Sequence, residues 1–159
     1  MRLFFSIFFF ITFSTQAAYS NYNFEIDSIG LAKTKKMVLS DNSYYLLYEN
    51  NLGWTDSLGN YGKSFCFGRI KVKKDIAIEF NLICEAIDQN GDKSWSEFTR
   101  SDTSMDAGAG RSTYIDGTGI YKYFIGSKCI FSTKYLDDTL FIKTKCKIDA
   151  DTINRVRRN

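Results

Sequence analysis

Histidine is absent from all 159 residues, and so is proline. Without histidine the chain builds neither a Ser-His-Asp nor a Cys-His nucleophilic site. It also lacks the commonest zinc and iron ligand, so no metal and no cofactor is expected. Acid–base chemistry near neutral pH falls to a shifted carboxylate, lysine or tyrosine. The lack of proline removes proline-rich linkers, and nothing in the composition marks a second domain. Charge of one sign is scarce as well. A net charge of +3 is too mild to argue for a nucleic acid or an anionic membrane surface as partner. Long apolar runs are missing beyond the first eighteen residues, so no membrane span is expected after them.

Those first residues carry the clearest signal in the chain. Arg2 precedes Leu3 to Phe13, which is apolar apart from Ser6 and Thr12, and Ser14-Thr15-Gln16-Ala17-Ala18 follows. A positive start, an apolar centre and a small-residue end make a secretory signal, cut after Ala17 or Ala18. The apolar run is shorter than the roughly 20 residues that span a bilayer. The sequence therefore predicts a signal peptide over 1–18, one β-domain over 19–148 and a polar tail over 149–159. It places the protein in the periplasm or outside the cell.

Four cysteines, Cys66, Cys84, Cys129 and Cys146, follow the signal. An even count in an exported chain implies disulfides, and no pair has the C-x-x-C spacing of a zinc ribbon or a redox centre. The strand pattern selects the pairing. Candidate strands fall at 23–29, 35–40, 43–49, 64–72, 76–86, 93–100, 111–116, 119–125, 127–136 and 139–148. Ile76, Ile78, Phe80, Leu82, Cys84 and Ala86 share one face of the strongest of these, in period-2 alternation. A turn at Lys74-Asp75-Ile76 sets Val72 opposite Ile78, Ile70 opposite Phe80, Gly68 opposite Leu82 and Cys66 opposite Cys84. A turn at Asp137-Asp138 sets Tyr135 opposite Leu140, Thr133 opposite Ile142, Phe131 opposite Thr144 and Cys129 opposite Cys146. Directly opposed side chains lie close enough to bridge. Cys66–Cys84 and Cys129–Cys146 are the expected bonds.

Three stretches look chemical and have plainer readings. Asp88-Gln89-Asn90-Gly91-Asp92 fails the calcium-loop template, which wants glycine at position 6 and glutamate at 12; Asn-Gly between strands signals a hairpin. Gly108-Ala109-Gly110-Arg111-Ser112-Thr113 lacks the first glycine and the lysine of a phosphate loop and reads as a glycine-rich bend. Asn51 to Gly62 reads as a long loop carrying Trp54 and Tyr61, either a plug for one barrel end or a ligand lid. The tail from Asp149 reads as a solvated end, with Asp149 or Asp151 able to cap a helical turn and Arg155, Arg157 and Arg158 suited to its C-terminus.

Short strands at about 8–12-residue spacing define an all-β domain. About eight principal strands close into a single antiparallel up-and-down barrel; a β-sandwich is the alternative. Cys66, Cys84-Glu85, Asp88 to Trp95, Ile115-Asp116-Gly117-Thr118-Gly119-Ile120-Tyr121-Lys122 and Gly126 also resemble a group of small exported bacterial proteins of calycin-like barrel type. That type is similar to the allene oxide cyclase and dirigent barrels, in which a G-T-G-x-[FY] hairpin recurs. The resemblance covers roughly residues 60–130 and implies a barrel from a class that includes ligand binders and isomerase- or cyclase-like enzymes. It assigns no catalytic residue here and no activity to the exported group. The pair Cys129 and Cys146 departs from the usual pattern.

Three roles follow from this sequence. A small, partly apolar ligand would lie in the barrel mouth near Trp54, Trp95, Tyr121 and Tyr123. An isomerase-like enzyme would use a buried carboxylate, with Glu97 beside Trp95 as candidate, since burial raises a carboxyl pKa. A solid barrel would act through its surface on a protein partner or the envelope. The pairing has a direct check: non-reducing peptide mapping of the exported protein is expected to join Cys66 to Cys84 and Cys129 to Cys146. A Cys66–Cys129 peptide would overturn the register on which the barrel reading stands.

Overall fold

A computed structural model describes residues 21–101, 103–105 and 107–158; the signal peptide expected over 1–18 lies outside the described residues. The chain runs β1 (Asn21–Val38), β2 (Tyr44–Asp56), β3 (Tyr61–Lys73), β4 (Ile76–Asp88), β5 (Lys93–Arg100), the two-residue β6 (Thr103–Ser104), β7 (Ala107–Gly117), β8 (Lys128–Leu136) and β9 (Thr139–Asp149). A 3-10 helix (Gly119–Phe124) links β7 to β8, and α1 (Ala150–Val156) ends the chain. Every long strand pairs antiparallel with its neighbours, and β1 meets β9 to close an eight-stranded barrel. β6 adds to the end of β4.

Alternation decides which side chains fill the barrel. In β2, Leu46, Tyr48, Asn50, Leu52 and Trp54 are buried, while Leu47, Glu49, Asn51, Gly53 and Thr55 between them are exposed. The residues read as a loop over Asn51 to Gly62 are thus largely strand. Pairing with β1 and β3 on both sides holds asparagines and a glycine in a ladder that their own propensities disfavour. For the same reason the two strands expected over 23–29 and 35–40 are one, β1. Its pairing with β9 ends at Leu31–Thr139, so beyond that point β1 is paired with β2 alone and its other edge is open. Lys33, Lys35 and Lys36 charge that open edge, a placement that discourages pairing with another chain.

Both expected disulfides form, with Cα atoms 4.0 Å apart for Cys66–Cys84 and 4.2 Å for Cys129–Cys146. All four sulfurs belong to buried residues. Each bridge closes a hairpin and limits the unfolded chain, an effect of about 3 kcal/mol in the chain-entropy model. The β8–β9 register matches the expected one pair for pair. The β3–β4 register matches from Cys66–Cys84 to Ile70–Phe80 and then shifts at Lys71/Val72, so Val72 meets Ala77 rather than Ile78. Lys74 and Asp75 both take positive φ, 51° and 61°, which is the twist of a two-residue hairpin turn. That shorter turn leaves one residue over, and the bulge absorbs it. Ala77 is buried in consequence, and Ile76 and Ile78 face outward.

One end of the barrel is closed by helical turns where the sequence suggested a strand and a solvated tail. Residues 119–125 form no strand: the 3-10 turn brings Tyr121 and Phe124, three apart, onto one buried side. The G-T-G-x-Y run accordingly leads into a helical turn and not a hairpin. α1 starts at Asp149, whose side chain accepts a hydrogen bond from the Thr152 amide (2.8 Å), as an N-cap should. Ile153 and Val156 then pack with Phe24, Trp54, Tyr114 and Phe124. Full burial of an isoleucine or phenylalanine contributes about 1.5–3 kcal/mol, which holds a seven-residue helix too short to persist alone.

The hairpins at this end share one device. Asp56 Oδ1 accepts from the amides of Leu58 (2.8 Å) and Asn60 (2.9 Å), and Gly59 takes φ +90°. Asp88 Oδ1 accepts from Asn90 (2.8 Å) and Asp92 (2.9 Å), and Gly91 takes φ +87°. The stretch that looked like a calcium loop is this aspartate-organised turn. Gln89 ties the two together, accepting from the Tyr61 amide and donating to Asn60, both at 3.0 Å.

The glycine-rich bend is strand β7, and its glycines make room inside the barrel. A Cβ on Gly108 would lie 2.2 Å from Arg100 Nη1, and one on Gly110 would lie 2.4 Å from the Thr99 carbonyl and 2.6 Å from the Phe131 ring. Gly110→Ala is therefore expected to destabilise the barrel by about 1–3 kcal/mol, the usual cost of overpacking. Gly53→Ala, whose Cβ would meet nothing closer than the Ile29 carbonyl at 4.0 Å, is expected to leave stability unchanged or slightly raised. Urea unfolding of both variants against the parent checks the contrast; equal midpoints would overturn it.

Candidate functional site

The barrel encloses a cavity of about 90 Å³, lined by Tyr48, Asn50, Trp54, Phe80, Arg100 and Tyr121 among others. Small-molecule pockets usually measure about 300–1,000 Å³, so aromatic and aliphatic side chains leave no room for a ligand of ordinary size. Trp54 and Tyr121 line this cavity; Trp95 and Tyr123 do not. Trp95 sits on the outer face of β5, where its Nε1 donates to Glu85 Oε2 (3.1 Å) and Lys93 binds the other carboxylate oxygen (3.1 Å). Glu97 is exposed on that same outer face. That exposure leaves it outside the buried setting on which naming it an acid–base residue rested.

The inner face of β5 holds what the sequence reading passed over. Ser94, Ser96 and Arg100 point inward and are buried, with Arg100 6% exposed. Arg100 Nη1 donates to Thr133 Oγ1 (3.2 Å), and that hydroxyl donates to the Gly108 carbonyl (3.3 Å). The guanidinium lies 4.6 Å from the centre of the Phe80 ring. Nearby, the Tyr48 and Tyr135 hydroxyls share a 2.6 Å hydrogen bond. Burial lowers the pKa of Arg100 and raises those of Tyr48 and Tyr135. A sequence signal for this cluster existed: small residues alternate along β5 at Ser94 and Ser96, and the Gly108-Ala109-Gly110 run lies one strand away. Small residues beside large ones are how a narrow barrel is filled.

Toward the helix-capped end, the cavity meets charge of the other sign. Asp56 lines it, and Asp88 is buried beside Tyr121, whose hydroxyl is pushed to high pKa chiefly by burial and then by Asp88 and Asp56. Trp54 Nε1, Asp88 Oδ2 and Tyr121 Oη are each buried without a hydrogen-bond partner. Two donors and one acceptor in this region suit an enclosed water, which needs two to four polar partners.

On the outside, a shallow open groove of about 800 Å³ crosses half of the barrel wall. Its floor is one cross-strand row, Gly53–Ile29–Phe141–Lys134–Ala107, running over β2, β1, β9, β8 and β7. Glycine and alanine at the ends of the row leave the groove open, and the sheet's own twist curves it. Ile29 is 51% and Phe141 41% exposed. On one side Lys143 pairs with Asp27 (3.3 Å) and Glu25 (3.2 Å), whereas Lys134 makes no ion pair among the described residues. No sequence motif marks this groove, because its residues come from six strands, β3 included through Tyr61 and Gly62, and meet only through register.

Among the described residues, no cluster of three metal-ligating side chains occurs, and no helix is long and apolar enough to cross a membrane. Two disulfides are typical of exported proteins.

The buried tyrosines set an alkaline limit. Burial holds Tyr48, Tyr114 and Tyr121 protonated well above the ordinary value of 10.0. A folded pKa above the unfolded one gives stability that is complete below about pH 10 and lost as pH rises past it. Ultraviolet titration is expected to show Tyr48, Tyr114 and Tyr121 ionising only with cooperative unfolding. One smooth titration of all tyrosines in the folded protein would contradict the buried placement.

No family model, curated protein or solved structure matches this chain.

Proposed function

We propose that this protein is an exported interaction module that works through the outer groove, docking a segment of a partner protein, and not an enzyme or a carrier of a sizeable ligand. One observation carries the reading: open apolar volume lies outside the barrel, about 800 Å³ over Ile29 and Phe141, against about 90 Å³ inside. Exposed apolar concavities of this size mark binding surfaces more often than solvent-facing wall. Phe141 would act as the central anchor, since buried aromatics carry most interface energy. Lys134, on the floor beside it, favours a partner segment with an apolar side chain next to a carboxylate. The sequence resemblance to calycin-type barrels is kept as part of this proposal; a barrel scaffold serves many roles, and the site decides which. The cysteine pairs and the N-terminal segment support action in the periplasm or outside the cell.

The test places a photo-crosslinking amino acid at position 141 and, as control, at position 67, where Phe67 is 53% exposed on another part of the wall. A discrete heterologous adduct from 141, absent from 67 and reduced at least tenfold by Lys134→Glu, is the expected result. Equal labelling at both positions, no adduct, or an adduct with a second copy of this chain would overturn the reading.

A further inference from the structure

Arg100 is the unusual group in this molecule. It is 6% exposed, deep in a narrow barrel, with no ion pair among the described residues. Its Nε is buried without an acceptor, and Asn50 Oδ1 on the same cavity wall is buried without a donor. Glu97, three positions back, is exposed on the outer face, and Asp102 and Asp106, further along the chain, lie outside the described residues. A buried charge with no counter-charge is strongly unfavourable unless hydrogen bonds or an opposite charge meet it. Thr133 and the Phe80 ring supply part of that, through one 3.2 Å hydrogen bond and a 4.6 Å cation–π contact. The chain also keeps Gly108 bare opposite it, since a Cβ there would strike the guanidinium. The barrel thus makes space for a cation that brings no stability of its own.

We propose that Arg100 holds a small carboxylate anion in the barrel interior. Guanidinium geometry suits a carboxylate, which takes two parallel N–H donors from one edge. The unsatisfied Nε lies on such an edge. The Tyr48–Tyr135 hydroxyl pair, already within electrostatic reach of Arg100, offers a further donor, and Phe80 with its neighbours provides an apolar wall for a short carbon tail. The cavity sets the size. About 90 Å³ is on the order of three waters' share of liquid volume, the scale of acetate or propionate, and far too small for a long acyl chain. Asn50 Oδ1 fits a water or a ligand hydroxyl beside the anion. This site is separate from the outer groove and does not depend on it.

The disulfide-bonded exported protein is titrated with propionate at constant ionic strength. Parallel titrations use n-propanol as the neutral analogue and chloride as the inorganic anion. Propionate is expected to raise Tm by roughly 6 °C or more at 100-fold excess over Kd, and to shift the amide resonances of Thr133 and Tyr48 saturably. Propanol and chloride are expected to do neither. Arg100→Gln is expected to weaken propionate binding at least tenfold. No saturable response, an equal response to propanol or chloride, or unchanged affinity in a folded Arg100→Gln variant would overturn the proposal. If that variant does not fold, the comparison of propionate with propanol on the parent protein decides.

Discussion

The interior of an eight-stranded barrel has a fixed width, and every feature of this protein follows from fitting side chains into it. Closure of β1 on β9 makes each strand send alternate residues inward, so total inward volume is set by sequence and cannot relax by moving a sheet. Large inward groups are therefore matched by small ones. Gly68 sits between Tyr48 and Leu82, and Gly110 lies against Phe131. The cross-links obey the same limit: both disulfides face inward as compact apolar pairs, filling space that two larger side chains would overfill.

The ends of the barrel are handled differently from its wall. At one end the hairpins β1–β2 and β8–β9 turn back, with Leu46, Val72, Ala77 and Leu140 packed beneath. At the other, two short helical segments lay Phe124, Ile153 and Val156 over Phe24 and Trp54. Neither segment has the length to be helical by itself; the apolar opening beneath supplies the energy. The aspartate-centred turns at Asp56 and Asp88 give the rim a rigid shape by satisfying amides that would otherwise face the solvent unpaired.

Function on such a scaffold has two places to reside, and they differ in kind. The outer groove offers area: an apolar row with a lysine that makes no ion pair among the described residues, suited to a chain segment. The interior offers chemistry at close quarters: a cation in a low-dielectric space, where electrostatic interactions are strong and selective. The tight core that excludes a bulky ligand is also what strips water from Arg100. Both proposals thus arise from one packing solution, although each stands or fails by its own experiment.

Sequence alone determined what depends on neighbours along the chain. The two hairpin registers could be read because alternation aligned apolar faces and cysteines together, and a one-residue slip would have inverted both. The all-β class followed from strand spacing, with barrel and sandwich both open until closure of the sheet decided between them, and side-chain chemistry marked Asp149 and Asp151 as the two candidate caps. Only tertiary structure decided the rest. Asn51 to Asp56 became strand because β1 and β3 pair with it on both sides, against its local preference. Residues 119–125 became a helical turn because an open barrel end had to be covered, which no local pattern records. Alternation along β5 alone cannot say which of its faces turns inward, Ser94, Ser96, Phe98 and Arg100 or Lys93, Trp95, Glu97 and Thr99. Which face is inside depends on β4 and β7 alongside it, and so on closure of the whole barrel. The placement of Arg100 in the barrel interior, and the meeting of Ile29, Phe141 and Lys134 across adjoining strands, are therefore properties of the closed sheet and not of any segment of the chain.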